Sequence, residues 1–174
     1  VKGASNGEGL GNKFLSHIRE VDAICHIVRC FEDSNIIHVE GNIDPIRDIE
    51  IITVELILAD LEIVNNRISK IEKKAQTTKE KDAVLEYETL KKCENSLMNN
   101  IPLRRVEFNE DELLLIKNFN FITLKPIIYA ANVSEDDCII GENEYTKLVK
   151  EYAKNDDAQV IVMCAKMESE LAEM

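Results

Sequence analysis

Pro126-Ile127-Ile128-Tyr129-Ala130-Ala131 runs straight into Asn132-Val133-Ser134-Glu135, an apolar segment that ends abruptly in polar side chains. An apolar run without alternation reads as a strand with both faces buried. Two more segments share this character, Ala23-Ile24-Cys25-His26-Ile27-Val28-Arg29-Cys30-Phe31 and Ala158-Gln159-Val160-Ile161-Val162-Met163-Cys164. Helical spacing of Tyr145, Leu148, Val149 and Tyr152 predicts a helix over 143–154. Another is predicted over 12–20, with Phe14, Leu15 and Ile18 on one side, after a loop that holds four of the six glycines. Strands of this kind alternating with helices predict an α/β fold whose parallel sheet is covered on both faces.

The middle of the chain breaks that rhythm. From Val54 the apolar positions run Val54, Ile57, Leu61, Val64, Ile68, Ile71 and Ala75, in alternating steps of three and four. That is a heptad seam. Asp48 and Glu50 suit its helix start, and Lys70, Lys73 and Lys74 suit its end. Gln76-Thr77-Thr78-Lys79 reads as a polar turn, and a second seam follows with Ala83, Tyr87, Leu90, Leu97 and Ile101, interrupted by Glu94 and closed by Pro102. The pattern predicts an antiparallel coiled-coil helical hairpin inserted into the sheet domain. The divisions expected are 1–47 for the first part of the sheet domain, 48–118 for the helical insertion, and 119–174 for the second part.

Composition narrows the function classes. The chain of 174 residues is 45% hydrophobic and 31% charged, with a formal net charge of −12. So acidic a surface excludes a protein built mainly to coat nucleic-acid phosphates, and no direct DNA binding is expected. Tryptophan is absent, so the core is mostly aliphatic. No run approaches the about eighteen apolar residues of a membrane span, and the first seven residues lack the apolar region of a signal peptide. The five cysteines are an odd number at scattered spacings, which fits free thiols in a cytoplasmic protein. Cys25 and Cys30 lie an odd number of positions apart on one strand and so point to opposite faces. His26 reads as a core histidine. The acidic runs Asn109-Glu110-Asp111-Glu112 and Ser134-Glu135-Asp136-Asp137 lack calcium-loop spacing and read as helix starts or loops. Both ends of the chain read as cut from a longer protein.

In open α/β sheets, ligands bind beyond the carboxyl ends of the strands. Asn132-Val133-Ser134-Glu135 stands at one such end and resembles the Asn-Lys-x-Asp base-recognition motif of P-loop GTPases. Cys164-Ala165-Lys166 stands at the next and resembles their Ser-Ala-Lys motif, about thirty residues further on. The departures carry chemistry. An aspartate in the usual motif accepts two donors from guanine, whereas adenine offers an acceptor at N1 and no 2-amino group. Here glutamate replaces that aspartate, and valine replaces the lysine that packs over the base. Nucleotide-binding candidates are therefore Asn132, Val133, Glu135, Cys164, Ala165 and Lys166.

Val1-Lys2-Gly3-Ala4-Ser5-Asn6-Gly7-Glu8-Gly9-Leu10-Gly11-Asn12-Lys13-Phe14-Leu15 resembles the segment after the Asp-x-x-Gly switch motif of the Obg-like ATPase (YchF) family. Ile24–Asp33, Glu55-Leu56-Ile57-Leu58-Ala59-Asp60-Leu61 and Phe121-Ile122-Thr123-Leu124-Lys125-Pro126 extend that resemblance over essentially the whole chain. It implies part of a P-loop NTPase parallel sheet with an inserted coiled-coil hairpin, hydrolysing ATP in preference to GTP and associated with ribosomes. It also implies His38 as the catalytic residue. The Gly-x-x-x-x-Gly-Lys-Ser/Thr phosphate loop is missing from these residues, as is the family's C-terminal TGS domain. Mg2+ is accordingly expected to be held by residues outside this chain, and residues 1–174 alone are expected to be inactive. A second class of function is an interaction module whose coiled-coil arm binds a partner, with nucleotide as a conformational ligand only.

Overall fold

A computed structural model describes residues 1–7, 11–32 and 42–174. The chain divides into two compact units, residues 1–22 with 51–125, and residues 23–50 with 126–174. His38 lies outside the described residues.

The second unit is built on a three-stranded parallel sheet in the order β1 (Ile24–Arg29), β2 (Ile127–Asn132), β3 (Gln159–Met163). The register sets Ile24 against Ile127, His26 against Tyr129, and Asn132 against Met163. All three apolar runs of the sequence are therefore strands. One face carries Val28, Ile127, Tyr129 and Ala131, packed with Ile49, Val149 and Ala153 into a single core. The opposite face is not covered among the described residues, for Ile27 is 60% and Ile161 48% exposed. This departs from the expected double cover, which the sequence of the strands calls for but which these residues provide on one side only. The helix over 143–154 is realised as Glu144–Ala153, with Asn143 as its cap. Its buried line is Thr146, Val149 and Ala153, while Leu148 faces solvent.

The first unit holds Gly11–Arg19 and two long antiparallel helices. The longer, Pro45–Thr78, has its first six residues in the sheet unit and the rest here. It starts earlier than Asp48, because Asp44 accepts from the backbone N–H of Arg47 at 3.0 Å and Pro45 has no N–H to leave unpaired. It also runs through the expected turn at 76–79. The Thr77 and Thr78 hydroxyls donate to the carbonyls of Lys73 and Lys74 at 2.7 Å, and the chain reverses only at Lys79, with φ of 48°. The return helix is Lys81–Met98. Ile57, Val64 and Ile71 pack with Leu90, Cys93 and Leu97, so Cys93 fills the seam position beside Glu94. Ile101 is 40% exposed and lies beyond the helix end. Arg67 with Glu86, and Lys74 with Glu80, fix the antiparallel sense. The run at 109–112 opens Glu110–Ile116, where Asn109 and Glu112 form a reciprocal cap.

Two carboxylates of the long helix organise this unit. Glu55 accepts from the N–H of Gly3 at 2.7 Å and from the N–H and hydroxyl of Ser5 at 3.2 and 2.6 Å. Burial raises the Glu55 pKa, but these hydrogen bonds outweigh it and hold the carboxyl below its ordinary value. Gly3 and Gly7, with φ of 77° and 85°, supply the left-handed backbone on either side of that short turn. Asp60 is fully buried. Its Oδ1 accepts from Arg19 at 2.9 Å and from the N–H of Ile122 at 3.0 Å. Its Oδ2 accepts from the N–H and hydroxyl of Thr123, both at 2.8 Å.

Asp60→Ala strands a guanidinium and two backbone donors, so urea denaturation is expected to show a loss of about 3–5 kcal/mol. Arg67→Ala, which removes a surface pair, is expected to cost under about 1 kcal/mol in the same measurement. His26 gives a pH signature in the sheet unit. Burial lowers its pKa from 6.5 to about 4, against a smaller opposing pull from Asp48. Between those values the unfolded chain binds a proton that the folded chain refuses, so stability falls as pH drops through this window. The full effect is about 3 kcal/mol by linkage. Denaturation at pH 7 and pH 5 is expected to show a larger loss for the unaltered chain than for His26→Phe.

Candidate functional site

The carboxyl ends of the three parallel strands open on one cleft of about 350 Å³. That is the position where an open α/β sheet binds ligands, and the volume is at the small-ligand end of the usual range. Phe31 and Glu32 line it after β1, Asn132 through Asp136 after β2, and Cys164 and Lys166 after β3. Five of the six candidate nucleotide-binding residues thus line one cleft, and Ala165 lies between the other two. The sequence places them about thirty residues apart; the pairing of Asn132 with Met163 brings them together.

Asn132 closes the strand ends. Its Oδ1 accepts from the backbone N–H of Ala165 at 2.9 Å. Because that partner is a donor, the amide orientation is fixed, and planarity turns Nδ2 away as a donor. Val133 continues the ladder, donating to the Met163 carbonyl at 2.8 Å, and its side chain is 2% exposed in the core. Val133 is therefore a wall of the cleft. A lysine there, as in the GTPase motif, would start from a buried position and carry the cost of desolvating an ammonium. Ser134 caps Glu135–Ile140 by accepting from the Asp137 N–H at 3.2 Å. Lys166 donates to Glu135 Oε1 at 2.5 Å, and this carboxylate holds the Lys166 pKa above its ordinary value.

Residues not chosen from the sequence complete the frame. Asn143 donates to the Cys30 carbonyl at 2.7 Å and to Asp137 at 3.0 Å, tying the cap of its helix to the end of β1. Tyr145 donates to Glu32 at 2.6 Å. The Arg29 guanidinium lies over the Phe31 ring at 4.9 Å from its centre. Phe31 and Glu32 were legible as residues just past a strand end; Asn143 was legible only as a helix cap.

The charges indicate what part of a ligand fits. Glu32, Glu135 and Asp136 line the cleft against Lys166 alone among its lining residues. A polyphosphate meets a lining whose carboxylates outnumber its one lysine, whereas an uncharged heterocycle needs no counter-charge. Among the described residues no three His, Cys, Asp or Glu side chains converge as metal ligands. The thiol of Cys30 is pushed up to about 12 by burial and by Asp48, which marks it as packing rather than a nucleophile. Among the described residues no helix is long and apolar enough to cross a membrane.

No family model matches the chain. Individual proteins do. It is 55% identical over 175 residues to the ribosome-binding ATPase YchF of Bacillus subtilis (strain 168), covering all of this chain and 48% of that protein. It is 46% identical over 174 residues to the protein of the same name from Escherichia coli O157:H7, covering all of this chain and 47% of that one. A solved structure of the Schizosaccharomyces pombe YchF GTPase superposes with a TM-score of 0.83 at 37% identity, over all of this chain and 48% of that chain. The resemblance to YchF proteins therefore holds along all of residues 1–174, and the chain spans about half the length of the curated relatives it matches.

The Asn132–Ala165 bond has its own test. Asn132→Ala removes the acceptor that the Ala165 N–H uses, so that amide is expected to exchange with solvent about tenfold faster, measured by hydrogen exchange. The loss of stability is expected to be about 1 kcal/mol.

Proposed function

We propose that residues 1–174 are the base-recognition half of a YchF-type P-loop NTPase that hydrolyses ATP, and GTP less well, in association with ribosomes. The observation that carries this reading is the cleft itself. Asn132 and Ala165 are joined at 2.9 Å across the carboxyl ends of β2 and β3, in a pocket whose charge suits a base and not a phosphate chain. Relatives about twice as long, named as ribosome-binding ATPases, support the same conclusion.

In this reading the ligand divides between two surfaces. Asn132 Nδ2 donates to N7 of the purine, which adenine and guanine share, and Cys164 and Val133 form apolar wall around the ring. The triphosphate extends to a phosphate loop supplied by the longer protein, where loop amides and a lysine would hold the phosphates and Mg2+ would supply counter-charge. His38 is assigned to positioning the attacking water. A cytoplasmic location follows from the ribosomal association. The uncovered face bearing Ile27 and Ile161 is consistent with further chain packing there in the longer protein.

Nucleotide titration and turnover test this reading. The full-length protein is expected to bind ATP and hydrolyse it with Mg2+, and residues 1–174 alone are expected to bind weakly and hydrolyse none. In the full-length protein, Asn132→Ala is expected to weaken ATP and GTP about tenfold each, and His38→Ala to lower kcat with little change in affinity. Saturable micromolar binding with turnover by residues 1–174 alone would overturn the division of labour.

A further inference from the structure

We propose that Lys166 is a purine-specificity residue, which by pairing with Glu135 withholds from guanine the carboxylate its N1–H and 2-amino group require and so leaves the cleft to adenine. This rests on the reading of the cleft as the base site.

The two purines differ on the edge that faces such a carboxylate. Guanine presents two adjacent donors and an O6 acceptor; adenine presents an acceptor at N1 and a donor at its 6-amino group. A carboxylate free to accept both guanine donors selects guanine. Here one oxygen of that carboxylate, Oε1, already accepts from Lys166, so a two-donor match with guanine competes with the ammonium. Lys166 reaches from the first turn of the helix after β3, Ala165–Glu173, to Glu135 at the start of the helix after β2, with Nζ 2.5 Å from Oε1. Glu170 lies on the same ammonium at 4.0 Å, so the lysine has a second acceptor and a continuous acidic track to rest on.

The partner for guanine O6 is occupied as well. The Ala165 N–H donates to Asn132 Oδ1 at 2.9 Å and is spent there. The donor that Asn132 keeps, Nδ2, meets N7 of either purine and discriminates between neither. The Ala165 N–H and one oxygen of Glu135 are thus already engaged within the protein itself. Guanine must break the Lys166–Glu135 pair before it gains anything. Adenine need break neither.

The size of the effect follows from exposure. Lys166 is 70% and Glu135 47% exposed, so the pair is solvated and its removal changes affinity by a modest factor. Competition binding of ATP and GTP to the full-length protein reads it. Lys166→Met keeps the length of the side chain but removes the ammonium, and it is expected to raise GTP affinity relative to ATP by about three- to tenfold. Lys166→Arg, which retains the cation, is expected to keep the unaltered ratio. Asn132→Ala is measured beside them and is expected to weaken both nucleotides. If Asn132→Ala weakens both while Lys166→Met leaves the ratio within about twofold, or weakens both nucleotides equally, the specificity role is overturned and the base-site reading stands. If Asn132→Ala changes neither affinity, the base site is elsewhere and both conclusions fall together.

Discussion

A buried carboxylate with four donors around it is the constraint on which the helical unit depends. Asp60 is fully buried, and an unpaired charge in that position would be prohibitive. Its solution brings together three distant parts of the chain: Arg19 near the start, Asp60 on the long helix, and Ile122 with Thr123 some sixty residues later. Thr123 passes the network on, since its hydroxyl also accepts from the Leu103 N–H at 3.2 Å. Every donor in this set needs the others in place. The carboxylate therefore specifies one arrangement of the segments in a way that the aliphatic seam, tolerant of sliding by a heptad, does not.

Glu55 does the same for the glycine-rich start, gathering Gly3 and Ser5 onto the same helix. Three of the four stretches that carry the resemblance to YchF proteins, 1–15, 55–61 and 121–126, are thereby tied together by these two carboxylates. Their role in this chain is structural.

In the sheet unit the decisive contact is shorter and more exposed. A single amide, Asn132, spans from the end of β2 to Ala165, the second residue past β3. The cleft beside it is acidic, holds one lysine, and has that lysine already paired. In the proposed reading such a cleft recognises by shape and by neutral hydrogen bonding, with phosphate handled where cations are available. Separation of base recognition from phosphate handling is what a sheet with several strand ends allows, because each end presents its own loop.

The sequence alone determined the three strands, the helical hairpin and the identity of the strand-end motifs. Those signals are local: unbroken apolar runs, a three-four spacing, and polar residues at fixed offsets. It placed the helix limits less well. Asp44-Pro45 starts the long helix before Asp48, and the threonines at 77 and 78 prolong it by bonding back to their own turn. It also set Leu148 and Ile101 in buried stripes from which tertiary packing leaves them out, and it missed Cys93, which enters one because helix rotation is decided by the partner helix. Only the tertiary structure showed that Asp60 and Thr123 meet, that Val133 is a buried wall of the cleft, and that Lys166 reaches Glu135. Each of these depends on pairs far apart in the chain, whose distance is set by the packing of whole elements and is written in no local pattern.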